Sequence, residues 1–382
     1  MASAELLQQI EDGNLHKRIP ISSYQEQIKP IFETLSKIDI SIKFDPKKHL
    51  AFKSSYLQTI KRTTMEEFGT FAKDQISNIG ASEPFPLFTE EAVEIMRAEI
   101  LREEVFTKWS RVSYNSTTGL DCVIRGYAKY TSPFTYAAWT HPDTVAAISS
   151  MAGVELEVIM DYEVAHINIA MKSQDLAKNE KINEKRKLSI GGSKITNDDI
   201  PAVVGWHNDS YPFVCVLMLS DTSSMIGGET LVKTGNGEII PVSGPAKGKA
   251  TVLQGRKLLH LASIPLGYTE RITSVTSYRA KNSMLPETSV LKTVKPECNW
   301  GSLYDEFYPE WINYRMNVIS DRSLEIKKIF NNALENGEKF DKLKAFELLQ
   351  DLENYTANTW KEMQVSEAEY ATHSKFDKEN EN

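Results

Sequence analysis

The sequence predicts a mainly β core held between helical segments, and three features of its 382 residues carry that reading. First, runs rich in β-branched residues recur at 156–169, 213–219, 239–242, 250–253 and 271–278. Second, turn residues punctuate them: Gly227-Gly228, Gly235-Asn236-Gly237, Gly244-Pro245, Gly248 and Pro265-Leu266-Gly267. Short strands broken at such intervals belong to sandwiches and barrels. Third, the apolar spacing is helical on both sides of this region.

Taken in order, 22–38 and 89–109 carry helical periodicity, the second through Ala92, Ile95, Met96, Ile100 and Val105. Thr89 followed by Glu90 and Glu91 has the form of an N-cap with acids in the first turn. A helix over 136–152 is opened by His141-Pro142-Asp143. After the strand predicted at 156–169 comes a polar excursion, 172–199, with almost nothing to bury. Two amphipathic helices are expected at 308–330 and 340–363. The expected division is a helical segment at 1–120, a β core at 121–285, helices packing on it at 286–370, and a disordered tail at 371–382.

Composition narrows the function classes. Lys plus Arg is 44 against 52 Asp plus Glu, a net charge of −8, which disfavours a sequence-independent nucleic-acid binder. No apolar window is long enough for a transmembrane helix, and the first residues lack the pattern of a secretory signal. Cys122, Cys215 and Cys298 are too few and too scattered for a disulfide framework. The expectation is a cytoplasmic protein acting on a small molecule, without nucleic-acid or membrane partners.

The chemistry concentrates in two of the seven histidines. His207 and Asp209 stand at the entrance to the strand at 213–219, and His260 follows the strand at 250–253 after the Gly255-Arg256 turn. Arg271 comes eleven residues later, with Thr273 on the same strand face. Two imidazoles and one carboxylate make the facial donor set of non-haem Fe(II) sites, which leaves open positions for a 2-oxo acid and O2. An arginine on the strand after the second histidine suits the far carboxylate of such a co-substrate.

The wording of these segments resembles the iron(II)/2-oxoglutarate-dependent dioxygenases. It is most similar to a fungal specialised-metabolism subgroup, through GWHNDSYPFVCV (205–216), GGET (227–230), VLQGR (252–256), LLHLA (258–262) and ERITSVTSYR (270–279). IRGYAKY (124–130) and AAWTHP (137–142) add to the likeness, which covers about 120–285. The resemblance implies a double-stranded β-helix, or jelly roll, with His207, Asp209 and His260 as Fe(II) ligands. It also implies Arg271 and Thr273 on the 2-oxoglutarate carboxylate. The implied activity oxidises a C–H bond by hydroxylation, desaturation or cyclisation, releasing succinate and CO2. Asn208 stands where relatives often have a hydroxyl residue. Halogenating relatives replace the carboxylate by a small residue, so Asp209 argues against halogenation.

Asn168 is a further candidate for the co-substrate. Lys233, Arg279, Gln254 and Trp206 are candidates for the substrate, and Arg125 is a possible partner of a substrate carboxylate. His166, which shares a strand face with Asn168, is read as structural. Two alternatives stay open: another metal-dependent jelly-roll enzyme of the cupin or zinc-hydrolase kind, and a non-catalytic binding barrel.

Overall fold

The computed structural model describes residues 19–70, 75–112, 120–190, 202–244, 246–299 and 302–366. Nine strands build the centre: β1 (Leu120–Ile124), β2 (His166–Met171), β3 (Ala202–His207), β4 (Phe213–Met218), β5 (Thr230–Lys233), β6 (Ile239–Ser243), β7 (Lys249–Leu253), β8 (Leu259–Ser263) and β9 (Glu270–Ala280). The major sheet runs β7-β4-β9-β2-β1, and the minor sheet runs β6-β5-β8-β3. All pairings among these strands are antiparallel. From β2 to β9 the chain passes between the sheets, with β2, β4, β7 and β9 in one and β3, β5, β6 and β8 in the other. That alternation is a double-stranded β-helix, and the fold is a jelly roll flanked by N- and C-terminal helices.

Period two explains how one sheet serves two compartments. On β4, Phe213, Cys215 and Leu217 face outward into a core shared with the N-terminal helices, while Val214 and Val216 face the barrel interior. On β9 the same alternation sends Ile272 and Tyr278 outward and Val275 inward. The outer core is closed by helix α1 (Glu90–Ile100) and helix α2 (Pro142–Ala152). Thr89 caps α1 by accepting from the Ala92 amide, as the sequence indicates.

Several sequence expectations change. The helix predicted over 136–152 is two helices, Pro133–Thr140 and α2, broken at His141 because Pro142 needs a fresh first turn. The strand predicted over 156–169 is also two, Leu156–Val158 and β2, separated by a tight turn at Asp161–Glu163 and by Ala165 at φ 55°. The N-terminal region is not purely helical. Arg62–Thr64 and Ile79–Ser82 continue the edge of the major sheet, and Phe85–Pro86 pairs with β7. Part of the polar excursion is helix α3 (Gln174–Ile190), and 191–201 and the tail from 367 lie outside the described residues. Lys172 pins α3 to the barrel: its ammonium pairs with Glu180 at 2.7 Å and donates to the Pro265 carbonyl.

Helix α4 (Tyr304–Glu335) and helix α5 (Lys342–Lys361) form an antiparallel hairpin. Its root packs Phe307, Trp311, Tyr314 and Val318 against Tyr211, Ile159 and Tyr162 beside the barrel. Arg315 is the buried fastener. It pairs with Glu287 at 2.8 Å, donates to the Thr359 hydroxyl and the Tyr355 carbonyl, and lies 3.4 Å from the Tyr355 ring centre. Arg315→Ala would strand the buried Glu287 carboxylate, so a loss of about 3–5 kcal/mol is expected in denaturant unfolding. A loss below about 1 kcal/mol would show that the pair is not a fastener. Among the described residues no helix is long and apolar enough to cross a membrane.

Candidate metal centre

The register of the minor sheet assembles the centre. His207, the last residue of β3, lies directly opposite His260 of β8, and His260 lies opposite Val232 of β5. Facing residues of an antiparallel pair share a face, so both imidazoles point where Val232 points, into the barrel core. Their ring centres are 4.3 Å apart. Asp209 follows two residues after His207 and is fixed by its own backbone, whose amide donates to the Gly255 carbonyl at 3.0 Å.

The three donor atoms converge. Asp209 Oδ1 is 3.4 Å from His207 Nε2 and 3.6 Å from His260 Nε2, and all three atoms lie within 4.8 Å of one another. Each imidazole is oriented by the same device. His207 Nδ1 is 2.8 Å from the Gly205 carbonyl and His260 Nδ1 is 2.9 Å from the Leu258 carbonyl. A carbonyl accepts only from N–H, so Nδ1 carries a proton and Nε2 is the atom turned to the centre; burial lowers the His260 pKa, but the Asp209 carboxylate outweighs it and raises it, so Nε2 gives up a proton before it can offer a lone pair to an ion. The second oxygen of Asp209 is buried without a hydrogen-bond partner among the described residues. Burial would raise the Asp209 carboxyl, but His260 and His207 outweigh it and hold it well below the usual carboxylate range.

Gly255 is the residue that sequence reading passed over as a mere turn. A Cβ built there would sit 1.8 Å from Asp209 Oδ2 and 2.7 Å from its Cγ. Glycine is therefore what lets the carboxylate occupy its place.

Arg271 and Thr273 project from β9 into the barrel, beside a cavity of about 60 Å³ also lined by Val216, Met218, Thr251 and Leu253. Arg271 forms no ion pair among the described residues, and its Nε is buried without a partner. Burial pushes its basicity down, against the opposing influence of Tyr268 and Asp121. Asn168 stands opposite Thr273 in the β2–β9 register, with its Nδ2 3.5 Å from the Thr273 hydroxyl. His166 Nε2 is 3.3 Å from Asn168 Oδ1. Burial, with Arg125 nearby, lowers its pKa to about 3, so it is a neutral wall of the site.

The remaining candidates are not brought to this centre. Trp206 and Lys233 each precede or follow an inward residue and so project from the opposite face of the minor sheet. There the Lys233 ammonium lies 6.0 Å from the Trp206 ring centre. Arg279 shares the face of Arg271 but lies beyond the barrel, paired with Glu157 and 5.8 Å from the Tyr314 ring centre. Arg125 is committed to a buried ion pair with Glu163, which also accepts from the Tyr211 hydroxyl. Gln254 spends its whole amide on the N-terminal segment: it accepts from Ile76 N at 3.1 Å and donates to the Ser77 and Ile79 carbonyls. Gln254→Leu is expected to cost about 2–3 kcal/mol through unsatisfied backbone groups while leaving co-substrate affinity within about twofold. Thermal unfolding and a 2-oxoglutarate titration separate the two effects.

Comparison with known proteins gives distant structural similarity at low identity. No family model matches the chain, and no curated protein matches it. Among solved structures, a 2OG-Fe(II) oxygenase family oxidoreductase from Burkholderia pseudomallei is similar at 17% identity, over 41% of this chain and 68% of its own, with TM-score 0.28. A Pseudomonas putida prolyl-4-hydroxylase is similar at 14% identity over 51% and 89%, with TM-score 0.31. AviO1 from Streptomyces viridochromogenes Tue57 is similar at 13% identity over 59% and 96%, with TM-score 0.36.

Proposed function

We propose that the chain is an Fe(II)- and 2-oxoglutarate-dependent oxygenase acting on a small molecule, such as an amino acid or a specialised metabolite. It would oxidise a C–H bond by hydroxylation, desaturation or cyclisation, with succinate and CO2 as co-products. One observation carries this reading. A His207–Asp209–His260 donor cluster and the Arg271 guanidinium, which forms no ion pair among the described residues, both project from their sheets into one barrel.

The residues fit both groups. His207, Asp209 and His260 would hold Fe(II), since neutral imidazoles and one carboxylate suit a borderline divalent ion and leave other positions open. Arg271, with Thr273 and Asn168 alongside, would take the far carboxylate of 2-oxoglutarate. The cavity beside them has room for roughly four to six waters, the scale of a short dicarboxylate chain. When bound, the iron supplies the reaction with O2 and the oxidising power for the C–H bond.

The protein's own work is orientation and exclusion. The Gly205 and Leu258 carbonyls keep both imidazoles in the ligating tautomer. The Asp209 amide bond to Gly255 places the carboxylate before any metal arrives. Val216, Met218 and Leu253 line the cavity with apolar surface and keep water from the co-substrate chain. A zinc hydrolase built on the same three donors would have no use for the Arg271–Thr273 pair.

The test is anaerobic. Addition of Fe(II) and then 2-oxoglutarate to the metal-free protein should give the weak visible charge-transfer band of the chelate, and His260→Ala should lose it. Bound metal without a band would overturn the reading. Arg271→Ala should weaken 2-oxoglutarate binding by about 3 kcal/mol, or roughly two orders of magnitude, at unchanged Fe(II) affinity. An unchanged co-substrate requirement would make Arg271 structural.

A further inference from the structure

His166 stands on the inner wall of the barrel, and the reaction proposed above makes no use of it. It is the first residue of β2 and lies opposite Val275 of β9, which faces the barrel interior. Facing residues of an antiparallel pair share a face, so the imidazole points inward too. Its row lies between the two ends of the site. Arg271, Thr273 and Val275 follow one another at period two along β9, with Asn168 opposite Thr273 and His166 opposite Val275. Ser277, one step further, lies opposite Val214, and Val214 lies opposite Leu253. Two residues after Leu253 comes Gly255, whose carbonyl holds the Asp209 amide. His166 is therefore on the metal side of Asn168. The backbone bends to put it there. Ala165 has φ 55°, the one positive value of a non-glycine among the described residues, and its amide donates to the Thr276 hydroxyl at 2.9 Å. Such a conformation costs an alanine and persists only where the surrounding structure enforces it.

The hydrogen bonds along the wall fix what the ring offers. Asn168 turns its Nδ2 to the Thr273 hydroxyl at 3.5 Å and its Oδ1 to His166 Nε2 at 3.3 Å. An amide oxygen only accepts, so Nε2 carries the proton, and in a ring kept neutral by burial Nδ1 carries the lone pair. Nδ1 has no hydrogen-bond partner among the described residues, and the ring is only partly buried, unlike the sealed Nε of Arg271. A half-open acceptor thus faces the barrel interior beside the metal centre. 2-Oxoglutarate cannot satisfy it, because the dianion has acceptors alone and brings no N–H or O–H.

We propose that His166 is a substrate-binding residue, whose Nδ1 accepts from an amine or hydroxyl group of the small molecule oxidised at the neighbouring metal centre. The inference rests on the proposed oxygenase reading and adds the class of substrate, one with an N–H or O–H donor close to the carbon that is oxidised. Holding Asn168 in place would need Nε2 alone.

Nitrogen-15 spectra of the histidine-labelled protein, loaded with Zn(II) and 2-oxoglutarate, test the acceptor directly. Methylammonium and methanol serve as donor probes, with tetramethylammonium and dimethyl ether as counterparts that have no donor. The His166 Nδ1 resonance should be that of an unprotonated nitrogen, and it should move with the first two and stay with the others. Two substitutions separate the roles. In His166→Gln the amide nitrogen takes the place of Nε2, so 2-oxoglutarate affinity should stay within about twofold while methylammonium binding, read by saturation transfer, falls about tenfold. In His166→Asn the amide takes the place of Nδ1, so methylammonium binding should persist while 2-oxoglutarate affinity falls about tenfold. A protonated Nδ1, or one that neither donor probe moves, would overturn the proposal. So would a His166→Gln variant that binds methylammonium as the wild type does, since His166 would then serve Asn168 only. Failure of the oxygenase reading shows separately, as a missing charge-transfer band in the wild-type Fe(II) protein, whatever the His166 resonance does.

Discussion

Asp209→Ala is expected to lower substrate-linked succinate release by at least about three orders of magnitude and to abolish tight Fe(II) binding. The carboxylate is the one anionic donor of the set, and it lies 3.4 and 3.6 Å from the two imidazole Nε2 atoms. Its loss leaves two neutral ligands, and three kcal/mol or more of metal affinity goes with it, about a hundredfold or beyond. The fold should survive, because the Asp209 backbone bond to Gly255 does not depend on the side chain. Metal titration followed by thermal unfolding of the metal-free variant checks both halves. Retained turnover would remove Asp209 from the site.

Gly255→Ala should approach the same loss without touching a ligand. The added methyl would sit 1.8 Å from Asp209 Oδ2, far inside contact distance. The backbone at Gly255 is not in the left-handed region, so alanine carries no conformational penalty there. What yields is the carboxylate, which must swing off the donor position. Fe(II) affinity is expected to fall by about two orders of magnitude, with stability of the metal-free protein changed by less than about 1 kcal/mol. Gly255→Ala with full Fe(II) affinity would mean that the Asp209 position is adjustable. Combined with Asp209→Ala, the substitution should add nothing further, the signature of two changes acting on one group.

These two positions also mark the boundary of what a linear reading reaches. Asp209 stands out in the chain because His207 is two residues away and His260 follows on another predicted strand. Gly255 stands out only as a turn, because its role is a through-space exclusion between segments 46 residues apart. No local pattern records that distance. Trp206 is an intermediate case. Period two alone places it on the face opposite His207, so its removal from the site follows once β3 is accepted as a strand. Lys233 needs more, since its face depends on the register that sets Val232 against His260.

The sequence by itself determined the β core and the flanking helices, and it singled out His207, Asp209 and His260 as candidate donors. These follow from periodicity, turn residues and side-chain chemistry, all of which are local. The tertiary structure decided which residues meet. It set His207 opposite His260 through strand pairing, and it committed Gln254 to the N-terminal segment and Arg125 to Glu163. It left Arg271 without an ion-pair partner among the described residues. The physical reason is that a buried charge or amide takes whichever partner the packed chain brings within hydrogen-bond reach, and that partner is fixed by register and topology rather than by neighbours in sequence.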